Sequence, residues 1–373
     1  MEPYIPEKLP VLSINWEEHI SEIGKANAAI ARYDGILQGI VNPEILLSPL
    51  TTREAVISSR IEGTVASLEE VLHFEANIGQ KITPEKKADI QEIINYRKAT
   101  QHAIEQLKSK PICFNNIRDL HKILLTSVRG QDKEPGEIRR IQNFIAPYGT
   151  PFIEKAIFIP PPPQMVMDAL TNWEFYLHQE EKDSLVQTAI LKAQFEIIHP
   201  FRDGNGRIGR MLVPIILYNK HHISTPMFYI SSYFDKNRDK YSNCLLGVSQ
   251  EHDWDSWISF FLHGIIDQSH ENSKKVRDVL ALHNEIKAKV PQITGSKYII
   301  QAIDAIFSRP VINAAYFKDY SHIPEESARR ILRELVKADI LKVWRKGTGP
   351  NPYIYIFPQL LKITDDISAN IFE

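Results

Sequence analysis

HPFRDGNGRIGR, residues 199–210, concentrates more chemistry than any other stretch of this 373-residue chain. A histidine, an acid, several glycines and three arginines fall within twelve consecutive positions. Such groups can take a proton, hold a metal ion and grip phosphates. Several familiar motifs fit only superficially. Gly204-Asn205-Gly206-Arg207-Ile208-Gly209 satisfies G-x-G-x-x-G, but a dinucleotide site needs a preceding strand and an acid roughly 20 residues later. Instead the preceding run, LVQTAILKAQFEII (185–198), has its apolar residues at helical spacing, and PMFYISS downstream contains no acid. Arg210-Met211 stands where a P-loop requires Lys-Ser/Thr. A calcium loop starting at Asp203 would need Gly at Ile208 and Glu at Pro214.

The reading that remains is helix-loop-helix. Pro200 disfavours helical geometry at His199, which ends the first helix near Ile198. DGNG is turn chemistry, and from Arg207 the apolar pattern resumes through RIGRMLVPIILYNK. Successive N–H groups of Gly204, Asn205 and Gly206 at a helix start would form an anion-binding nest. Arg207 and Arg210 share one face of the first turn, where cations oppose the helix dipole. A bound polyphosphate would reverse that penalty.

H-P-F-x-D-G-N-G-R-x-x-R resembles the signature of the Fic family and matches it at every defined position. The resemblance implies a mainly α fold: an all-helical core with a small β-hairpin flap. It also implies transfer of AMP from ATP to a Tyr, Thr or Ser hydroxyl of a target protein. His199 would be the catalytic base, which suits a side chain titrating near neutrality. Asp203 would hold Mg²⁺ against the phosphates. Gly204, Asn205 and Gly206 would line the anion hole, Arg207 and Arg210 would clamp the outer phosphates, and Arg202 and Ile208 would complete the nucleotide site. Phe201 would pin the loop to the core.

Ser58-x-x-x-Glu62-Gly63, within SSRIEGT, resembles the inhibitory motif of the same family. Ser48-Pro49 can cap and start a helix that Gly63 ends. Glu62 at that end is unfavourable against the dipole unless it meets a cation. The resemblance implies that the cation is Arg210, and that pairing withholds it from ATP.

Hydrophobic content of 43% with 24% charged residues is ordinary for a globular protein, and a formal net charge of −2 gives no global pull toward nucleic acid or membrane. Cys113 and Cys244 are far apart, which argues against disulfides or zinc and suits a reducing, cytoplasmic setting. MEPYIPEKLP has no signal-peptide pattern, and no run can span a bilayer.

The domain expectation is a helical region over 1–110 carrying the inhibitory helix near 49–63, a Fic core over 111–270, a helical linker over 271–294, and a last domain over 295–363. Ser67-x-x-Glu70 reads as a capping box, and Thr83-Pro84 starts a long helix. Residues 142–160 read as a hairpin around Pro-Tyr-Gly-Thr-Pro, the flap that would register a target strand. Tyr233 and Tyr241, eight apart, would share a helix face and contact adenine and ribose. Trp254 to Lys289 reads as one or two helices ending before Pro291. The last domain resembles a winged helix-turn-helix: three helices, KYIIQAIDAIF, INAAYFKDYS and PEESARRILRELVKADI, then a two-stranded wing. It carries 10 Lys and Arg against 6 Asp and Glu from Lys297 to Lys346, with Arg329, Arg330, Arg333 and Lys337 on the third helix. That arrangement implies DNA as a partner.

Two functions therefore compete: a self-inhibited AMP transferase, and a DNA-binding regulator whose Fic core senses nucleotide. The intact His199, Asp203 and arginines favour the first, with AMP removal or another nucleotide donor as variants. A homodimer that holds the inhibitory helix would suit either.

Overall fold

The helices on either side of residues 199–204 form the centre of the molecule, a computed structural model that describes residues 2–76, 82–126, 128, 131–146, 152–347 and 352–365. Chain order gives α1 (Trp16–Leu37), α2 (Pro43–Leu46), α3 (Ser48–Ile61), α4 (Leu68–Glu75), α5 (Pro84–Leu107), α6 (Phe114–Leu124), α7 (Pro163–Leu177), α8 (Ser184–Ile198) and α9 (Asn205–Asn219). Then come α10 (Ser231–Lys236), α11 (Arg238–Glu251), α12 (Trp254–Thr294), α13 (Ile299–Ser308), β1 (Val311–Asn313), α14 (Ala314–Ser321), α15 (Glu325–Lys337), β2 (Lys342–Arg345), β3 (Ile354–Ile356) and α16 (Pro358–Thr364). The fold is mainly α, as the sequence implies.

Every residue of α8 from Leu185 to Ile198 is buried. Such a helix must be covered on all sides, and α1, α7, α9, α11 and α12 cover it. Asp183 caps its start, its carboxylate accepting from the N–H groups of Leu185 and Val186. The tryptophans lock the layers: Trp173 donates Nε1–H to the Leu191 carbonyl and Trp257 to the Ala189 carbonyl, at 2.7 and 2.8 Å.

The expected helix starts need adjustment. Ser48 lies inside the first turn of α3 and caps nothing; Leu47 occupies the cap position. The capping box at Ser67 and Glu70 is present, and Thr83 caps α5. α9 begins at Asn205, two residues before the expected start, with Gly204 at its cap. α12 runs through Pro291 to Thr294 instead of stopping before it. Buried Val290 and Thr294 hold that last turn, where the threonine hydroxyl donates to the Val290 carbonyl.

Among the described residues of 142–160, one bridge joins Ile145 and Phe158, with a 3₁₀ turn at Ile153–Lys155. The Pro-Tyr-Gly-Thr-Pro tip, 147–151, lies outside the described residues. Tyr233 and Tyr241 do not share one helix, because the chain breaks at Asn237 between α10 and α11.

The C-terminal unit holds three strands rather than two, in the antiparallel order β1-β3-β2. Asn313 explains the difference. Its side chain accepts from Tyr316 N–H at 2.7 Å, so α14 starts at Ala314 and the preceding residues are freed to pair with β3. α16 has no counterpart in the sequence reading. On α15, Arg329 is paired to Glu325 and Lys337 to Glu334, so the helix presents less free positive charge than its basic residues suggest. The unit packs on α2 and α3, and touches α4 through Trp344 stacked on His73 and Arg309 on Glu75. Among the described residues no helix is long and apolar enough to cross a membrane.

Replacing the fully buried Trp257 with alanine removes the ring that seals α12 on α8. The expected loss is about 3–5 kcal/mol in denaturant unfolding. A loss below about 1 kcal/mol would contradict this packing account.

Candidate active site

The loop between α8 and α9 is folded back on itself by backbone contacts. His199 closes α8 in the left-handed region, φ 51°, and Gly204 opens α9 at φ 78°. Asn205 spans the loop, its amide accepting from Phe201 N–H at 2.9 Å and donating to the Phe201 carbonyl at 2.8 Å. The fully buried Phe201 ring stacks on His121 at 3.8 Å between centroids and lies near Phe114 and Phe195.

Two residues outside the signature hold this loop, and the sequence carried no signal for either. Arg139 is buried and donates to the His199, Ile198 and Pro161 carbonyls. Burial lowers its pKa to about 10. His121 accepts Gly136 N–H on Nδ1, so its Nε2 carries the proton given to the Asp203 carbonyl. Burial pushes this imidazole down to about 4, so it stays neutral.

His199 itself makes one decisive contact. Its Nδ1 lies 3.1 Å from the Glu196 carbonyl. A carbonyl can only accept, so the proton sits on Nδ1 and Nε2 is left with its lone pair. Burial lowers the His199 pKa, and nearby Arg139 adds to the effect. The side chain is therefore a neutral base at neutral pH.

His199 lines a cavity of about 200 Å³ together with Glu62, Glu196, Gly206, Arg210 and Tyr241. Ile145, Ile157 and Phe158, from the bridged segment, form an apolar wall. Arg210 is only 1% exposed. It donates Nε to the Ser58 hydroxyl and Nη2 to the Ser58 carbonyl, both at 2.9 Å, and Nη2 to Glu62 at 2.7 Å. Burial alone would raise the Glu62 carboxyl, but Arg210 and then Arg207 overcome it and hold the group below the usual range. Glu62 caps the C-terminal end of α3, and Gly63, at φ 92°, turns the chain away. A side chain at Gly206 would displace the Glu62 carboxylate from its present position, so glycine there suits this meeting.

Other named positions lie off the cavity. Arg207 is 3% exposed and bridges Glu92 at 3.0 Å and Asp203 at 3.3 Å. Asp203 is 42% exposed, with one oxygen taken by Gly204 N–H and Arg207. Arg202 points toward Asp132 and Glu134, and Ile208 is wholly core. Tyr233 packs on Phe260 and against Gly264, away from the cavity, whereas Tyr241 forms part of its wall. Tyr241 donates to Glu196 at 2.6 Å and accepts from Lys192 at 2.5 Å. Lys192 is fully buried, its ammonium 4.0 Å from the Tyr241 ring centre and 4.6 Å from that of Trp257. Burial lowers its pKa to about 8. A lysine and a glutamate one turn apart inside an apolar helix were the available signal for this cluster, which the sequence reading passed over. No cluster of three or more metal-ligating side chains occurs among the described residues. Magnesium does not need one, since it binds through one or two carboxylates plus phosphate oxygens, and the exposed Asp203 carboxylate meets that requirement.

Residues 20–105 match the model of the Fic/DOC family N-terminal region, and residues 111–217 match that of the Fic/DOC family. The chain carries a Fic/DOC domain. A probable protein adenylyltransferase of Aquifex aeolicus is 35% identical over 91 residues, covering 24% of this chain and 26% of that protein. The protein adenylyltransferase fic-1 of Caenorhabditis briggsae is 28% identical over 109 residues, 28% of this chain and 19% of its own length. The chain thus spans about a quarter or less of these curated relatives. A Fic family protein from Desulfovibrio desulfuricans has the same fold along 95% of this chain and 98% of its own, with a TM-score of 0.56 at 18% identity. A fragment of Fic-1 from Caenorhabditis elegans superposes with a TM-score of 0.52 at 19% identity, covering 72% of this chain and 74% of that one.

Burial makes a testable statement about His199. Its imidazole, followed by NMR as pH is varied, is expected to titrate below the usual histidine value of 6.5. A midpoint at or above that value would contradict the neutral, buried base.

Proposed function

We propose that the protein transfers AMP from ATP to a hydroxyl side chain of a target protein, and that Glu62 holds the enzyme inactive. The observation that carries the reading is the His199 imidazole, fixed with its lone pair on Nε2 in a cavity shared with Arg210 and Gly206. The names of the curated relatives support it. In the transfer, the target oxygen bonds to the α-phosphorus and the bond to the pyrophosphate oxygen breaks. Nε2 of His199 takes the hydroxyl proton. The N–H groups at the start of α9 stabilise charge on the transferred phosphate. Arg210, once free, holds the outer phosphates with its planar fork. Magnesium held by Asp203 and the phosphates would supply further charge neutralisation. The target segment would lie along the Ile145–Phe158 strand pair, adding main-chain hydrogen bonds there.

Inhibition follows from charge. Arg210 is engaged on two sides, by Ser58 and by Glu62. A triphosphate must replace Glu62 to use this guanidinium. The cavity, about 200 Å³, is also smaller than the roughly 300–1,000 Å³ usual for ligand pockets.

The test uses ATP labelled on the α- or the γ-phosphate, with Mg²⁺ and lysate as the source of targets. Protein-bound α-label is expected to rise at least about tenfold in Glu62→Gly and to vanish in His199→Ala, as general-base loss costs about 10²–10⁴ in rate. Transfer of γ-label alone would make the protein a kinase. No change in Glu62→Gly would remove the inhibitory role. Because Arg210 loses its carboxylate partner, Glu62→Gly should also melt at a lower temperature than wild type.

A further inference from the structure

The inhibitory segment has a second anchor, and it ends on the other signature arginine. Just beyond Glu62 and Gly63 the chain turns inward, and Thr64 is 3% exposed. Its hydroxyl donates to Glu92 Oε2 at 3.0 Å. The same oxygen accepts from Arg207 Nη1 at 3.0 Å. Glu92 projects from the middle of α5, one turn after Asp89, whose carboxylate accepts Val65 N–H at 3.2 Å. One face of α5 therefore grips both residues that follow the inhibitory turn.

This anchor matters because of how Glu62 is held. It sits at the C-terminal end of α3, and a side chain added at Gly63 would meet nothing within 4 Å, so the turn is held by hydrogen bonds and not by packing. Glu62 reaches Arg210 through a single oxygen. Its position is fixed from upstream by α3 and from downstream by Thr64. Without the downstream anchor, the helix end can open and the carboxylate can leave Arg210.

We propose that Thr64 and Glu92 are positioning residues that clamp Glu62 onto Arg210 and tie the inhibitory segment to Arg207. The proposal rests on the AMP-transfer reading above. It makes the two signature arginines answer to acids from one region: Arg210 to Glu62, Arg207 to Glu92. A change at either acid is then felt at the other through Thr64.

Thr64 is the place to test it, because Glu92 also neutralises a buried arginine. Thr64→Val keeps the size, removes the hydroxyl and leaves the Glu92–Arg207 pair intact. Transfer of α-label in the full chain is expected to rise roughly 3- to 10-fold, the scale of one typical hydrogen bond. Thr64→Ser should return the rate to that of wild type. In a Glu62→Gly background Thr64→Val should add nothing, because no inhibitory carboxylate remains to be positioned. A thermal melt confirms folding. If Thr64→Val melts below the assay temperature, Thr64→Ala removes the same hydroxyl without a branched side chain and replaces it in the assay. A wild-type rate in the variant, or an equal gain with and without Glu62, would overturn the proposal. If Glu62→Gly and His199→Ala themselves fail to move the label, the AMP-transfer reading fails instead.

Discussion

A guanidinium that is 1% exposed near the start of a helix needs an anion from elsewhere in the chain. Arg210 has that need, and much of the N-terminal architecture meets it. α3 crosses α9 so that Ser58 supplies a hydroxyl and a carbonyl, and the helix stops where Glu62 can supply the charge. The helix is then fastened along its length. Glu54 accepts from the Ser231 backbone and hydroxyl, Arg53 donates to Ser232, and Arg60 meets Asp235. All three partners belong to α10, which lies beside the cavity wall. The placement of one carboxylate thus rests on contacts spread over nearly three turns of helix.

The loop between α8 and α9 solves a different problem. Its backbone reverses direction between two buried helices, where unpaired carbonyls are costly. Arg139 and His121 remove that cost. Arg139 takes three carbonyls on the His199 side, and His121 takes the Asp203 carbonyl on the other. Both are charged or chargeable residue types used as hydrogen-bond donors inside the core. His121 stays neutral there, which lets it stack on Phe201 without burying a charge. The hydrogen bonds fix the loop from both sides, which holds the His199 lone pair and the α9 N–H groups in place.

What was legible in the sequence follows this division. The helix pair around 199–210, the end of α3 at Glu62 and the meeting of Glu62 with a signature arginine could be read from periodicity, turn chemistry and family pattern. The first two depend on neighbouring residues, and the third on the family pattern. The roles of Arg139, His121 and Glu92 could not be read, because each acts on residues that only the tertiary fold brings near. The break at Asn237 shows the limit of spacing arguments. Eight residues apart places two tyrosines on one face only if the helix is continuous, and here it is not. Likewise Ile312 and Asn313 of β1 fall inside the helix expected over INAAYFKDYS, and the Asn313 cap decides the matter locally.

Gly206 joins these themes. The absence of a side chain there leaves a space that one carboxylate oxygen of Glu62 now approaches closely. The same space lies at the first turn of α9, where free N–H groups and the helix dipole favour an anion. A phosphate and a carboxylate are both oxyanions of similar reach, so a site built to attract one will accept the other. The contact between Glu62 and Arg210 therefore needs no dedicated pocket. Under the proposed function it would exploit the attraction that the nucleotide uses, and its strength is bounded by the same geometry. Glu62 would hold the site against nucleotide only as long as its carboxylate is kept within hydrogen-bond distance of Arg210. The cost of keeping it there falls on the anchors of α3 rather than on the catalytic loop, and this separates control of the site from its chemistry.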